Sequence, residues 1–168
     1  MPDFLSLCRS RRSVRAFRAD LPADADLDYI RQCVAAAPSA CNRQPYHFRY
    51  ICDKDNLTKL ATAYNREWFT TAPACFIVYR DTQTEWVRQS DGKPHGDIDA
   101  AIAIEHLCLA AAERGLGTCW VCAYDPTVLE AALPSPEGRT PVALIPIGYP
   151  ADSPSDNRPR KPIDEIFC

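Results

Sequence analysis

Asp97-Ile98-Asp99-Ala100-Ala101-Ile102-Ala103-Ile104-Glu105-His106-Leu107-Cys108-Leu109-Ala110-Ala111-Ala112-Glu113-Arg114, followed by Gly115-Leu116-Gly117-Thr118-Cys119-Trp120, is the stretch on which the fold turns. Residues 97–114 read as the strongest helix of the chain, with Asp97 placed to cap it and Gly115 supplying the left-handed residue that ends it. This helix is apolar almost all round. Its main polar residues, Asp99, His106 and Glu113, share one narrow stripe. Such a helix has to be covered on nearly every face, by its own core or by a second subunit.

Outward from this helix, residues 3–10 read as a short first helix that runs into the turn Arg11-Arg12-Ser13-Val14-Arg15. Asp24 or Asp26 can cap a second helix with the apolar face Leu27, Ile30, Val34 and Ala37, which Pro38 stops. Residues 46–52 are strand-like, with Phe48 and Tyr50 on one face and His47, Arg49 and Ile51 on the other. Residues 53–65 read as helix and 74–79 as a buried strand. The polar stretch 82–96 is expected to be a mobile excursion. Strands at 116–123 and 141–149 enclose a short helix at 126–133, and 150–162, with Pro150, Pro154, Pro159 and Pro162, is an extended tail. No repeat or long linker divides the 168 residues, so one domain, 1–168, is expected. A doubly wound parallel sheet would suit this order, but it lacks the phosphate-binding glycine turn after the first strand. The pattern alone leaves α/β and α+β open.

Composition is that of a soluble globular protein, 46% hydrophobic and 24% charged. The longest apolar run is interrupted by Glu105 and His106 and is too short to span a bilayer. A net charge of −3 disfavours nucleic-acid binding. Nine cysteines without a secretory leader point to reduced thiols and a cytoplasmic location, with Cys33, Cys75 and Cys108 as small buried residues.

Charge is placed unevenly. Arg9, Arg11, Arg12, Arg15 and Arg18 crowd one end, and Arg158, Arg160 and Lys161 the other. Guanidinium groups bind phosphate with a planar fork of donors, so two clusters and the Ser13 hydroxyl could converge on one phosphate monoester. The alternative is two solvated surfaces. Pro38-Ser39-Ala40-Cys41-Asn42-Arg43-Gln44-Pro45 combines small residues, which let a backbone approach a flat ring, with amides that can address a heterocycle's edge; an ordinary Asn-capped turn would look the same. Gly115-Leu116-Gly117 leaves backbone N–H groups unshielded, although alone it is only a helix cap. Cys119-Trp120-Val121-Cys122 has dithiol spacing, yet it continues a strand in which positions three apart face opposite sides. No metal-ligand spacing is present.

In their order along the chain, these segments resemble the FMN-dependent nitroreductase family, with a likeness running from about Phe4 to Phe167. Its carriers are Ser10-Arg11-Arg12-Ser13-Val14-Arg15, the 38–45 loop, residues 97–120, Pro146-Ile147-Gly148-Tyr149-Pro150 and Arg160-Lys161-Pro162. The resemblance implies α+β, a nitroreductase-like α/β/α sandwich whose central, mainly antiparallel sheet is flanked by helices. It implies a homodimer with flavin mononucleotide (FMN) at the subunit interface, so that residues 97–114 would pack against the partner. Arg11, Arg12 and Ser13 would hold the phosphate and ribityl chain, joined by Arg160 and Arg158. Arg15 would stand near the N1–C2 carbonyl edge, where positive charge favours electron uptake. Ser39, Ala40 and Asn42, with Pro38 and Gln44 of the same loop, would come from the other subunit. Gly117, Thr118 and Cys119 would lie along the ring, with a nearby N–H directed at N5.

The implied reaction is ping-pong. NADH or NADPH would reduce the flavin, and a small-molecule acceptor such as a nitroaromatic, a quinone or another conjugated electrophile would take the electrons, with no catalytic side chain required. From a different class comes a flavin-binding protein that stores or senses flavin without turnover. The family's longer excursion over the flavin is reduced here to 82–96, and Tyr46 stands where the family often has Trp.

Overall fold

Strands β1 (Tyr46–Ile51), β2 (Ala74–Asp81), β3 (Gly117–Thr118) and β4 (Arg139–Gly148) form a four-stranded sheet in the order β1-β2-β4-β3. Every pairing between these strands is antiparallel. The fold comes from a computed structural model that describes residues 3–151 and 159–167. Side chains alternate across a strand, so the two central strands sort their apolar residues into two cores. Ala74, Phe76, Val78, Ala143, Ile145 and Ile147 face one side; Cys75, Ile77, Tyr79 and Leu144 face the other.

Helices α2 (Asp24–Ala35) and α4 (Gly96–Glu113) cover the first side, α2 through Leu27 and Ile30, α4 through Ala100, Ile104, Leu107 and Ala111. Helices α3 (Lys54–Ala63) and α5 (Pro126–Ala132) cover the second with Leu60, Ala63 and Leu129. Both are well capped: Asp53 accepts from Asn56 N at 2.9 Å, and Asp125 accepts from Thr127 N and Val128 N, with Pro126 opening the helix. The layers are therefore helix, antiparallel sheet, helix: α+β, as the family resemblance implied. Helix α1 (Phe4–Ser10), capped by Asp3, buries nothing of its own and rests on α4.

Four expectations shift. Helix α4 opens at His95, two residues before Asp97, whose carboxylate instead lies 3.5 Å from Arg80. Helix α2 opens at Ala23 without a side-chain cap, and Asp24 and Asp26 sit inside its first turn. The strand expected at 116–123 stops after Thr118. Pro146 faces it and accepts from Cys119 N at 3.4 Å but has no N–H to return, and contact resumes only as a bridge between Val121 and Leu144. Residues 82–95, expected to be mobile, form a tied hairpin: Val87 bridges Pro94, His95 N donates to Trp86 O, Arg88 pairs with Asp91, and the Trp86 and His95 rings meet edge to face at 4.6 Å.

Packing of α4 predicts where the fold is sensitive. Leu107 is fully buried between α4, α2 and the sheet, so Leu107→Ala should lower the unfolding free energy by about 2–5 kcal/mol. Val128, 37% exposed on α5, should cost less than about 0.5 kcal/mol when cut to Ala. Urea denaturation followed by circular dichroism reads both.

Candidate functional site

The C-terminal end of α4 is closed by a Schellman turn. Gly115 adopts φ +73°, Leu116 N donates to Ala111 O at 2.8 Å, and Leu116 is buried beneath the turn. The chain then enters β3 at Gly117, where space decides the residue: a Cβ there would stand 2.5 Å from Val14 Cγ2. Val14 is this close because residues 11–18 run as an extended arm beside the sheet. Ser13 bridges Thr118 in parallel, Val14 N donates to Thr118 O at 2.8 Å, Arg18 N donates to Tyr149 O, and Ala151 N donates to Ala16 O.

Arm and turn together enclose a cleft of about 200 Å³. Val14, Ala112 and Leu116 give it an apolar floor, and Arg11, Arg12 and Thr118 line it. The Arg11 guanidinium, 26% exposed, meets only a loose ion pair with Glu105 at 3.4 Å, longer than a tight charge-assisted bond. Arg15 is exposed further along the arm, with its guanidinium 5.8 Å from the centroid of the Trp68 ring. Arg11, Arg12, Ser13, Gly117 and Thr118 are thus brought together, with Arg15 beside them. Cys119 is buried and Cys122 exposed, so the two do not form a working dithiol face. Burial pushes the neighbouring Cys108 thiol up to about 11, which leaves it protonated and inert at neutral pH. Among the described residues no group of His, Cys, Asp and Glu is arranged to hold a metal ion. No helix is long and apolar enough to cross a membrane.

The second cluster lies elsewhere. Residues 38–44 form a loop with a short 3-10 turn, Ala40–Asn42, in which Cys41, Asn42 and Gln44 all take φ near +50° (51°, 53° and 51°). Left-handed non-glycine residues cost about 1–2 kcal/mol each, and three in four positions need outside support. Within the loop, Ser39 Oγ accepts from Gln44 N at 2.8 Å and the Gln44 amide donates to Asn42. From outside, Asp99 on α4 accepts from Ala40 N at 2.8 Å, Tyr46 donates to Ala37 O, and Arg43 donates to Glu85 O in the hairpin. Pro38 and Asn42 are exposed at its surface, and Ser39 and Ala40 are half-buried.

Asp99 and Gly115 sit at opposite ends of α4, ~24 Å apart at 1.5 Å per residue, so within one chain the loop and the cleft are separate. Arg160 is exposed in the C-terminal segment and does not line the cleft. Arg158 lies outside the described residues. Sequence reading passed over two residues that the structure places here. Asp99 carried a legible signal, since an acid on an apolar helix must find a partner when buried. Trp68 carried none, because the 3-10 turn that delivers it, Glu67–Thr71, has no periodic pattern.

The family described as the Nitroreductase family matches residues 8–65 and 58–149. The α+β sandwich with a cationic arm beside a glycine turn is the scaffold of a class of NAD(P)H oxidoreductases, and the chain belongs to the nitroreductase family. The crystal structure of a nitroreductase family protein from Clostridium difficile 630 matches it with TM-score 0.92 at 30% identity, covering 99% of this chain and 98% of that one. The FMN reductase (NAD(P)H) of Bacillus subtilis is 27% identical over 99% of this chain and 73% of its own length. The iodotyrosine deiodinase of Thermotoga neapolitana is 26% identical over 96% and 94%.

Proposed function

We propose that this chain is an FMN-dependent oxidoreductase that acts as a homodimer, passing electrons from NADH or NADPH to a nitroaromatic, a quinone or a related conjugated electrophile. The observation that carries the reading is the cleft itself, in which two guanidinium groups stand over an apolar floor at a turn whose glycine keeps backbone exposed. That donor set fits a group with a phosphate at one end and a flat ring at the other. Arg11, Arg12 and Ser13 would hold the phosphate and ribityl chain, and Arg15, kept near Trp68, would place positive charge at the ring's carbonyl edge. Gly117, Thr118 and Cys119 would line the ring. Bound there, FMN supplies the hydride and electron transfer that no side chain of this protein can perform.

The separation of the two clusters supports a dimer. The outward stripe of α4, with Ile98 44% exposed and Ala101, Ile102 and Leu109 half-buried, is apolar except for Glu105, which pairs with Arg11. A two-fold related copy packed antiparallel along this stripe would set the 38–44 loop of one protomer, with its Ser39, Ala40, Asn42 and Gln44, beside the glycine turn of the other. The 82–95 hairpin, joined to that loop through Arg43, would then border the acceptor's side of the ring. The relatives named above act on different acceptors, so the fold leaves the acceptor open and the hairpin is where it would be chosen.

Anaerobic stopped-flow with the yellow, FMN-loaded protein tests the reading: NADH or NADPH should bleach flavin absorption, and a trace unchanged by both would leave a storage or sensing protein. Arg12→Ala should weaken FMN binding by about 1–3 kcal/mol, and Arg160→Ala by a similar amount. Fluorescence titration that finds both unchanged would overturn the phosphate assignment. Ile102→Asp should shift the protein to monomer in sedimentation velocity and abolish flavin binding in the same step.

A further inference from the structure

We propose that Asp99 is a positioning residue for the flavin: its bond to Ala40 N holds the strained 38–44 loop in the shape that meets the partner's ring. The proposal rests on the FMN reading above and adds a residue to it. Asp99 is only 2% exposed, and its Oδ1 accepts from Ala40 N at 2.8 Å. Its Oδ2 is also buried and has no hydrogen-bond partner among the described residues. A carboxylate taken out of water for a single bond is poor stabilisation, and an apolar residue of the same size would serve the core of α4 better. Its location gives it another use. Ala40 opens the 3-10 turn, so its N–H has no partner inside the turn, and the next residues, Cys41 and Asn42, are both left-handed.

Other tethers to the loop reach elements other than α4. Arg43 reaches hairpin carbonyls at 3.2 Å and 3.4 Å and is exposed. Tyr46 holds Ala37, before the loop begins. Asp99 alone fixes the loop's interior to α4, the same helix whose far end sets the Gly115–Thr118 turn. One rigid element then gauges both halves of a site that is completed across the dimer.

Hydrogen exchange on the flavin-free protein reads the clamp without any cofactor, so its outcome is independent of whether FMN is the true ligand. In Asp99→Ala, amides of the 38–44 loop should exchange on the order of tenfold faster than in the parent protein, as expected when a charged hydrogen bond is lost. FMN affinity, titrated by fluorescence, should fall by a similar factor, while the melting temperature of the flavin-free protein changes little. Asp99→Asn keeps a carbonyl oxygen for Ala40 N and should recover most of both losses. Ala40→Pro removes the donor from the other side and sets its ring Cδ where the N–H pointed, so the Asp99 carboxylate must swing away, and it should speed loop exchange as Asp99→Ala does. Unchanged loop exchange in Asp99→Ala and Ala40→Pro would overturn the proposal. So would an Asp99→Asn variant as impaired as Asp99→Ala.

Discussion

Everything functional in this molecule is referred to the length and rigidity of α4. An α-helix rises a fixed distance per residue and is stiff over a few turns, so the two features at its ends cannot drift relative to each other. One end carries the Asp99 anchor and the loop behind it; the other carries the Gly115 turn and the cationic arm packed on Gly117. Because the interval between them exceeds the width of a flat ring, a single copy would offer the proposed flavin two half-sites. In the proposed dimer, the helix's outward stripe would answer that separation with a surface for a second copy, so coverage and a complete site would have one solution.

The parts of the fold readable in the sequence are those in which local pattern and tertiary burial agree. The alternation through 74–79, the apolar helix before Gly115 and the capped helix at 126–133 all reappear with shifts of one or two residues at their ends. The failures have physical causes. β3 is short because Pro146, on a strand nearly thirty residues away, cannot donate to it, and the propensity of residues 119–123 carries no trace of that. Residues 82–95 read as mobile because they are polar, yet their order comes from backbone bonds and a Trp86–His95 contact that polarity does not exclude. The arm at 11–18 looked like a charged turn, and only the folded chain shows it lying against β3.

The candidate site was legible in a similarly uneven way. Of the residues named for their chemistry, Arg11, Arg12 and the glycine turn share one cleft, whereas Arg160 does not line it. Residues that act by holding others in place were invisible or undervalued: Asp99 was read as part of a polar stripe, and Trp68 was not considered. Recognition of a family supplies residue types at motif positions, whereas a positioning role is defined by a contact between segments far apart in sequence. This is also why the family leaves the acceptor unstated. The deiodinase and the flavin reductase resemble this chain over nearly its whole length, yet their names point to different reactions.

The arm at 11–18 also has a consequence for how the protein is made. It is synthesised more than a hundred residues ahead of its backbone partners Thr118, Tyr149 and Ala151. Until the residues after β4 have been made, the arm lacks its partners Tyr149 and Ala151, so the proposed flavin site stays incomplete in a shorter polypeptide. Under the proposed function, flavin capture would therefore follow folding of the sheet instead of guiding it.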